Sequence, residues 1–388
     1  MRIRSVEALA VRLPRDLDAA TGTAGSPIAL GKGSRLVWAD SYRTIYSTSI
    51  ETMLVRVETA EGVVGWGEAQ APVAPEVSKA IVDVLLAPIL IGTSAEVPAE
   101  SWDLMYSAMR VRGQTGGFML DAISAVDIAL WDIAGKVQGQ PVSRLLDASA
   151  KMSVPTYISG LQGKTRDEKL AYAGMWHDRG AKAFKVFHHA TERECVETVR
   201  DLRRSLGDGI EIYVDALWRL DVEHAIRFSR EIEKYRVGFL EAPLAPEDVE
   251  GHSKVAAKSA VPIAVGESYR TRYEVMPFLK ARACKYLQPD IGRCGITEGQ
   301  RIAALARDHG VAVAPHLSIG FGPQIAAALH FSAAVPGVSF LECNPQIYDR
   351  ANAFLRQPIA FRAGIADVPE GPGLGIEMIE SKLRAVVD

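Results

Sequence analysis

Cysteine is scarce in this chain. There are four in 388 residues, Cys195, Cys284, Cys294 and Cys343, scattered with no CxxC pair. That excludes a disulfide framework and a cysteine-built zinc site, and it suits free thiols in a reducing cytoplasm. Net charge is also small, −3 at pH 7. No basic patch or stripe stands out, so nucleic acid is not an expected partner. "RDLRRSL" (Arg200–Leu206) reads instead as the solvated face of a helix. The chain has no long unbroken apolar run. Its richest stretch, "GGFMLDAISAVDIALWDIAGK", is interrupted by Asp121, Asp127 and Asp132, so no membrane span is expected. The N-terminus, "MRIRSVEALAVRLP", alternates like a strand and lacks the apolar core of a signal peptide. These absences point to a cytoplasmic enzyme acting on a small molecule.

What is present is a period. From about residue 153, short apolar runs alternate with helix-like segments such as "ERECVETVRDLRRSLG" and "DVEHAIRFSREIEKY". The runs are "VPTYIS", "AFKVF", "EIYVDA", "VGFLEAP", "VPIAVGES", "KYLQPD", "VAVAPHL" and "VSFLECN". Eight strands alternating with helices predict parallel β/α units closed into a barrel. A doubly wound open sheet is the fallback, disfavoured because no GxGxxG follows a first strand.

Residues 1 to about 125 read differently. "TMLVRVETAEGVVGWGEA" is two alternating strands joined at Glu61-Gly62, and two segments with apolar residues at helical spacing follow. This predicts a smaller α+β domain over 1–125, a barrel over 126–350, and a Gly/Pro-punctuated tail, 351–388, returning to the first domain. Between 17 and 49 the stretch "TGTAGSPIALGKGS" predicts a lid loop over the barrel mouth.

One ionisable residue closes nearly every run: Lys185, Asp215, Glu241, Glu267, Asp290, His316 and Glu342. From Asp215 the intervals are 26, 26, 23, 26 and 26 residues. Any one of these alone reads as a strand-end residue in a turn. Seven in series converge on the rim where barrel active sites sit. Asp215, Glu241 and Glu267 at successive strand ends would crowd three anions together, which requires a cation. All-oxygen ligands suit Mg²⁺ or Mn²⁺, and no HxH or HExxH supplies nitrogen for zinc. His316 beside Asp290 has the form of a general base held in one tautomer. Glu342, if protonated by burial among acids, could hydrogen-bond an oxygen of the reacting group.

These residues carry a resemblance. "VDA", "LEAP", "GES", "LQPDIGRCG", "APH" and "FLE", in that order, resemble the enolase superfamily, mandelate racemase subgroup, as do "GWGEA", "SAVDIALWDIAGK" and "GPGLGIE". "QIAAALHFSAA", "NPQIYDRANAFLRQPI" and "VPEGPGLGIE" resemble its acid-sugar dehydratases and cycloisomerases. The resemblance implies a modified TIM barrel, (β/α)7β, under an α+β capping domain. It also implies abstraction of a proton α to a carboxylate, with the enediolate held on Mg²⁺. Asp215, Glu241 and Glu267 match the metal ligands, Asp290 and His316 the dyad, and Glu342 the acid that contacts the substrate carboxylate. Relatives are commonly dimers or octamers, so a homo-oligomer is expected.

The second strand of this subgroup typically reads Lys-x-Lys, the second lysine being a base opposite the histidine. Lys185 matches the first; Phe187 stands at the second and cannot move a proton. Racemisation needs acid–base groups on both faces, whereas β-elimination of water can run on one. A hydro-lyase is therefore expected, with a lactone cycloisomerase or an epimerase as alternatives. His189 shares the inward face by alternation and could replace the missing base or bind hydroxyls. Lys185 itself could be the second base if desolvation and neighbouring charge lower its pKa. Arg270, Arg272 and Arg293 lie just past strand ends, where a distal carboxylate would meet them. Lys32, Arg35, Trp38 and Arg43 in the lid are candidates by position. Leu217 and Ala242 depart from the subgroup's usual Asn and acid, which puts hydrogen bonds behind the ligands in doubt.

Overall fold

The computed structural model describes residues 1–14, 28–39, 43–189 and 191–387. Strands Ile3–Pro14, Ser49–Thr59 and Val64–Ala69 form an antiparallel sheet with Ser49–Thr59 in the centre. The turn after Thr59 uses Gly62 at φ +84°, a conformation open to glycine. The two glycines of "GWGEA" have a packing reason. A Cβ at Gly67 would lie 1.8 Å from the Ala125 carbonyl oxygen, and one at Gly65 2.2 Å from that of Ala129. Their absence lets the helix Phe118–Gln138 lie directly on the strand.

That helix is the apolar stretch with three aspartates, and each aspartate has a partner. Asp121 receives Arg270 Nε and Nη2 at 2.8 and 3.2 Å. Asp127 accepts from Thr297 N at 2.9 Å and meets Thr297 Oγ1 at 2.5 Å. Asp132 accepts from Trp66 N, Leu374 N and Lys136 Nζ at 2.9, 2.8 and 2.7 Å. Its apolar side chains serve two cores, Ile123, Val126, Leu130 and Ile133 packing in the cap and Ile128 in the barrel. The helix therefore runs unbroken across the boundary expected at residue 125.

Burial pushes the Asp127 carboxyl up to about 7 from 3.8. A raised folded value stabilises the fold below pH 3.8, and that contribution is lost as pH rises through about 7, at most on the order of 4 kcal/mol. Asp127→Asn keeps an acceptor for Thr297 N and a donor for Thr297 Oγ1 without the charge. We expect it to unfold at higher urea than wild type at pH 8, with the gap closing at pH 5. A gap equal at both pH values would remove Asp127 from the pH dependence.

Eight parallel strands follow: Ser153–Ser159, Ala183–Phe187, Glu211–Asp215, Val237–Glu241, Ile263–Val265, Tyr286–Leu287, Ala312–Val313 and Leu341–Cys343. The first seven pair in order, and the eighth pairs with the first. Ser339 N to Val313 O (3.0 Å) and Glu342 N to Pro315 O (3.3 Å) link the seventh to the eighth, so the pairings form a ring. One helix separates each strand from the next. Three of these helices begin with a capping box, Thr165/Glu168, Thr191/Glu194 and Thr271/Glu274, which satisfies amides that would otherwise lack partners. This is the α/β barrel with an α+β cap that the sequence predicts.

Inside the ring, Tyr157, Tyr213, Phe239, Tyr286 and Phe340 form an aromatic floor, Tyr213 stacked on Phe239 at 4.2 Å. Two residues further along their strands stand Ser159, Asp215, Glu241, Gln288 and Glu342, by strand alternation on the same face. This polar and charged layer therefore rests on aromatic rings.

The tail does two things. Ile365–Asp367 pairs antiparallel with Ser153–Pro155 of the first barrel strand. The chain then returns to the cap, where Arg12 N donates to Val386 O at 3.0 Å. Of the expected lid, residues 17–27 and 40–42 lie outside the described residues. Within the rest, Ile28–Ala29, Leu36–Ala39 and Thr44–Ser47 form a three-stranded antiparallel sheet. Buried Glu51 anchors it, taking Arg35 Nε at 2.9 Å and Ser47 Oγ at 2.6 Å. Among the described residues no helix is long and apolar enough to cross a membrane.

Candidate active site

The strand register brings the charged residues together. Asp215 lies directly opposite Glu241 on one side and Phe187 on the other. Between the acids stands Lys185, 1% exposed. Its Nζ donates to both Glu241 oxygens at 3.0 and 2.9 Å, and lies 2.8 Å from Glu342 Oε1 and 3.7 Å from Asp215 Oδ2. Burial disfavours the ammonium, but Glu241 and Glu342 overcome it and hold the lysine well above its ordinary value. Desolvation and the Glu241 charge push Asp215 well up. The anion that Lys185 faces is thus a pair of carboxylates within the chain.

His316 is buried, and its Nδ1 meets Asp290 Oδ2 at 2.6 Å. Its Nε2 turns to the mouth, 3.1 Å from Glu267 Oε2 and 3.6 Å from Glu342 Oε2. Burial works against the imidazolium, yet Glu342 and Glu267 raise it well above 6.5. In return, despite its burial, Glu267 falls to about 2.

Glu342 departs from expectation. Burial alone would protonate it, but Lys185 and His316, with hydrogen bonds from Lys185 and Ser159, hold it below the usual carboxylate range. Ser159 Oγ donates at 2.5 Å and Leu317 N at 3.1 Å.

Among the described residues no three His, Cys, Asp or Glu side chains gather closely enough, as they stand, to grip a metal ion. Two of the three acids face other partners. Glu241 is turned to Lys185, while Glu267 accepts from Trp218 Nε1 at 2.8 Å and faces His316. The donor set still fits a divalent cation by its chemistry. Five carboxylates (Asp215, Glu241, Glu267, Asp290, Glu342) face at most two cationic side chains, Lys185 and His316, in a largely buried site. Such an excess calls for further positive charge, and oxygen ligands suit magnesium.

The other candidates separate. Arg270 is committed to Asp121, and Arg272 Nη1 to Glu298 at 2.6 Å, so both tie cap or neighbouring helix to barrel and neither is free for substrate. Arg35 is likewise committed to Glu51 and Glu76. Arg293 lies close enough to Asp121 to help lower its carboxyl, and its buried Nε has no hydrogen bond. The His189 ring lies 5.3 Å from that of Phe187; burial first, then Lys169 and Arg219, push it down to about 4, which makes it a weak base. Trp38 is 37% exposed on the small sheet, in register with Ile28 and Ile45.

Sequence reading missed Trp218, Ser159 and Gln324. Trp218 follows Leu217, and both are left-handed, at φ +58° and +54°. Backbone of that kind in non-glycine residues is costly and clusters at functional sites. It delivers Leu217 N to Asp215 Oδ1 at 2.9 Å and the indole to Glu267. The tryptophan three residues past a strand-end acid was the available signal.

Comparison with known proteins fits this geometry. Residues 41–147 match the model of the mandelate racemase/muconate lactonizing enzyme N-terminal domain, and 169–382 match the enolase C-terminal domain-like model. A D-galactarolactone cycloisomerase of Agrobacterium fabrum is 34% identical over 84% of this chain and 88% of its own. An arabinonate dehydratase of Saccharolobus solfataricus is 32% identical over the same shares. Among solved structures, an enolase-superfamily member from Agrobacterium tumefaciens superposes at TM-score 0.95 with 34% identity, covering 100% of this chain and 99% of that one. A racemase from Streptomyces coelicolor A3(2) with bound magnesium superposes at 0.85 with 25% identity, covering 100% of both.

Proposed function

The chain belongs to the mandelate racemase/muconate lactonizing enzyme family, and from that premise we propose that it is a magnesium-dependent acid-sugar dehydratase. The observation that carries this reading is the asymmetry of the mouth. One wall presents His316 braced by Asp290; the second strand presents the phenyl ring of Phe187 where a second base would stand.

In the proposed reaction His316, neutral when Glu267 and Glu342 face a cation and not its ring, takes at Nε2 the proton α to the carboxylate, and the electron pair moves into the carboxylate as an enediolate. Asp290 holds the resulting imidazolium. The imidazolium then returns the proton to the β-hydroxyl, the C–O bond breaks, and water leaves. The enol tautomerises to a 2-keto acid. Lys185, paired with Glu241 and Glu342, keeps positive charge beside the carboxylate end of the substrate. A magnesium ion held by Asp215, Glu241 and Glu267 would supply the further charge that the enediolate demands. Arg293 is the arginine we assign to a distal carboxylate or hydroxyl.

A second reading rests on the 34% identical cycloisomerase. Opening a lactone by β-elimination needs the same single base, with the ring ester oxygen as leaving group.

The test is a panel of aldonic, uronic and aldaric acids and lactones, with and without Mg²⁺ in deuterium oxide. We expect Mg²⁺-dependent 2-keto acid formation, lost in Asp215→Asn, Glu241→Gln and Glu267→Gln. The unreactive α-epimer should keep its proton. Comparable exchange by both epimers would sink the one-base account. Turnover of a lactone without loss of water would select the cycloisomerase. A homo-oligomer, dimer or octamer, belongs to this reading, and sedimentation velocity checks it.

A further inference from the structure

Asp290 has two oxygens, and they are used differently. Oδ2 meets His316 Nδ1 at 2.6 Å; Oδ1 accepts from Gly292 N at 2.8 Å and from Gln324 Nε2 at 3.1 Å. Gln324 lies near the start of the helix Pro323–Ala334, fully buried. The same Nε2 also reaches Gln70 Oε1, at 3.2 Å, in the capping domain. Both neighbours are acceptors, so the amide can only present its NH₂ group here. The approach is close: a Cβ at Gly292 would fall 2.4 Å from Gln324 Cδ.

The cap holds this amide from several sides. Glu68 accepts from Phe321 N at 2.8 Å and Gln324 N at 3.0 Å, covering the helix N-terminus. Thr52 Oγ1 steadies Glu68 at 3.0 Å. Gln70 N donates to Gly292 O at 2.8 Å, and Gln70 Nε2 donates to Ser318 Oγ, two residues beyond His316. Two residues at the end of one cap strand, Glu68 and Gln70, thus hold the segments that flank both members of the dyad.

We infer that Gln324, held by Gln70 of the capping domain, is the positioning residue that orients Asp290 and through it His316. Two donors on Oδ1 set the plane of the carboxylate and leave Oδ2 for the imidazole. The cap thereby sets the angle of the base on the barrel. The inference rests on the proton-abstraction reading only for its kinetic consequence; the orientation itself is a matter of hydrogen bonds.

The test uses the full-length, magnesium-loaded protein. Gln324→Met keeps length and removes the donor. We expect kcat to fall about 10- to 100-fold, the range that outer partners of a working histidine command, with KM changed by less than about threefold. The downfield ring N–H proton of His316, the mark of its short bond to Asp290, should shift or broaden. Gln70→Met should act in the same direction but less, and the double variant should be no worse than Gln324→Met, because both act through one contact. An unchanged resonance, unchanged kcat or a loss confined to KM overturns the inference. If Gln324→Met does not fold, the resonance in Gln70→Met decides: moved supports, unmoved overturns. If wild type turns over no acid sugar yet the resonance moves, the positioning role stands and the dehydratase reading falls.

Discussion

His316→Asn is expected to lower acid-sugar turnover by about a thousandfold or more, near the upper end for loss of a general base. Asparagine can keep a hydrogen bond to Asp290 but cannot accept the α-proton at neutral pH. The other candidates among the described residues are poor substitutes. The His189 imidazole is held near 4, and Phe187 offers no lone pair. The acids Asp215, Glu241 and Glu267 are untouched, so Mg²⁺ should still raise the melting temperature of the variant, as any ligand of the folded state does. Turnover within tenfold of wild type would take the histidine out of the reaction. A lost Mg²⁺ shift would instead mean that His316 helps to hold the ion.

Lys185→Met should show its largest effect in stability. The ammonium is buried and is the only side-chain cation within 4 Å of Glu241 among the described residues. Removing one partner of a buried ion pair leaves the other charge uncompensated, at a cost of about 3–5 kcal/mol. Here two close carboxylates, Glu241 and Glu342, lose their partner together. In metal-free buffer the variant should unfold at markedly lower denaturant, and added Mg²⁺ should recover part of the difference by supplying charge at the same place. Turnover should fall as well, because Glu342 and Glu241 lose the lysine that fixes them. A variant as stable as wild type without metal would mean that the acids are neutral there, contrary to the lowered Glu342.

The repeat was legible because each barrel strand is short, apolar and closed by one ionisable residue, so spacing alone marks Asp215, Glu241, Glu267, Asp290, His316 and Glu342. Phe187 was legible too, since alternation along one strand places it on the face of Lys185. Gln324 was not. It reaches Asp290 only because a helix and a loop fold back across the rim, and a glutamine in an alanine-rich helix carries no mark of its role. Arg270 misled for the converse reason: past a strand end it looks ready for substrate, but its partner Asp121 lies 149 residues away in the cap helix.

Which residue types stand at the eight strand ends, and in what order, follows from the chain itself, because a two-residue alternation and a regular β/α spacing are local properties. Which charges meet there was decided only by the folded ring. Strand register sets Lys185 between Glu241 and Glu342, and the cap lays Gln70 against Gln324. Those distances of about 3 Å depend on elements far apart in sequence, and energies at that range change steeply with each ångström.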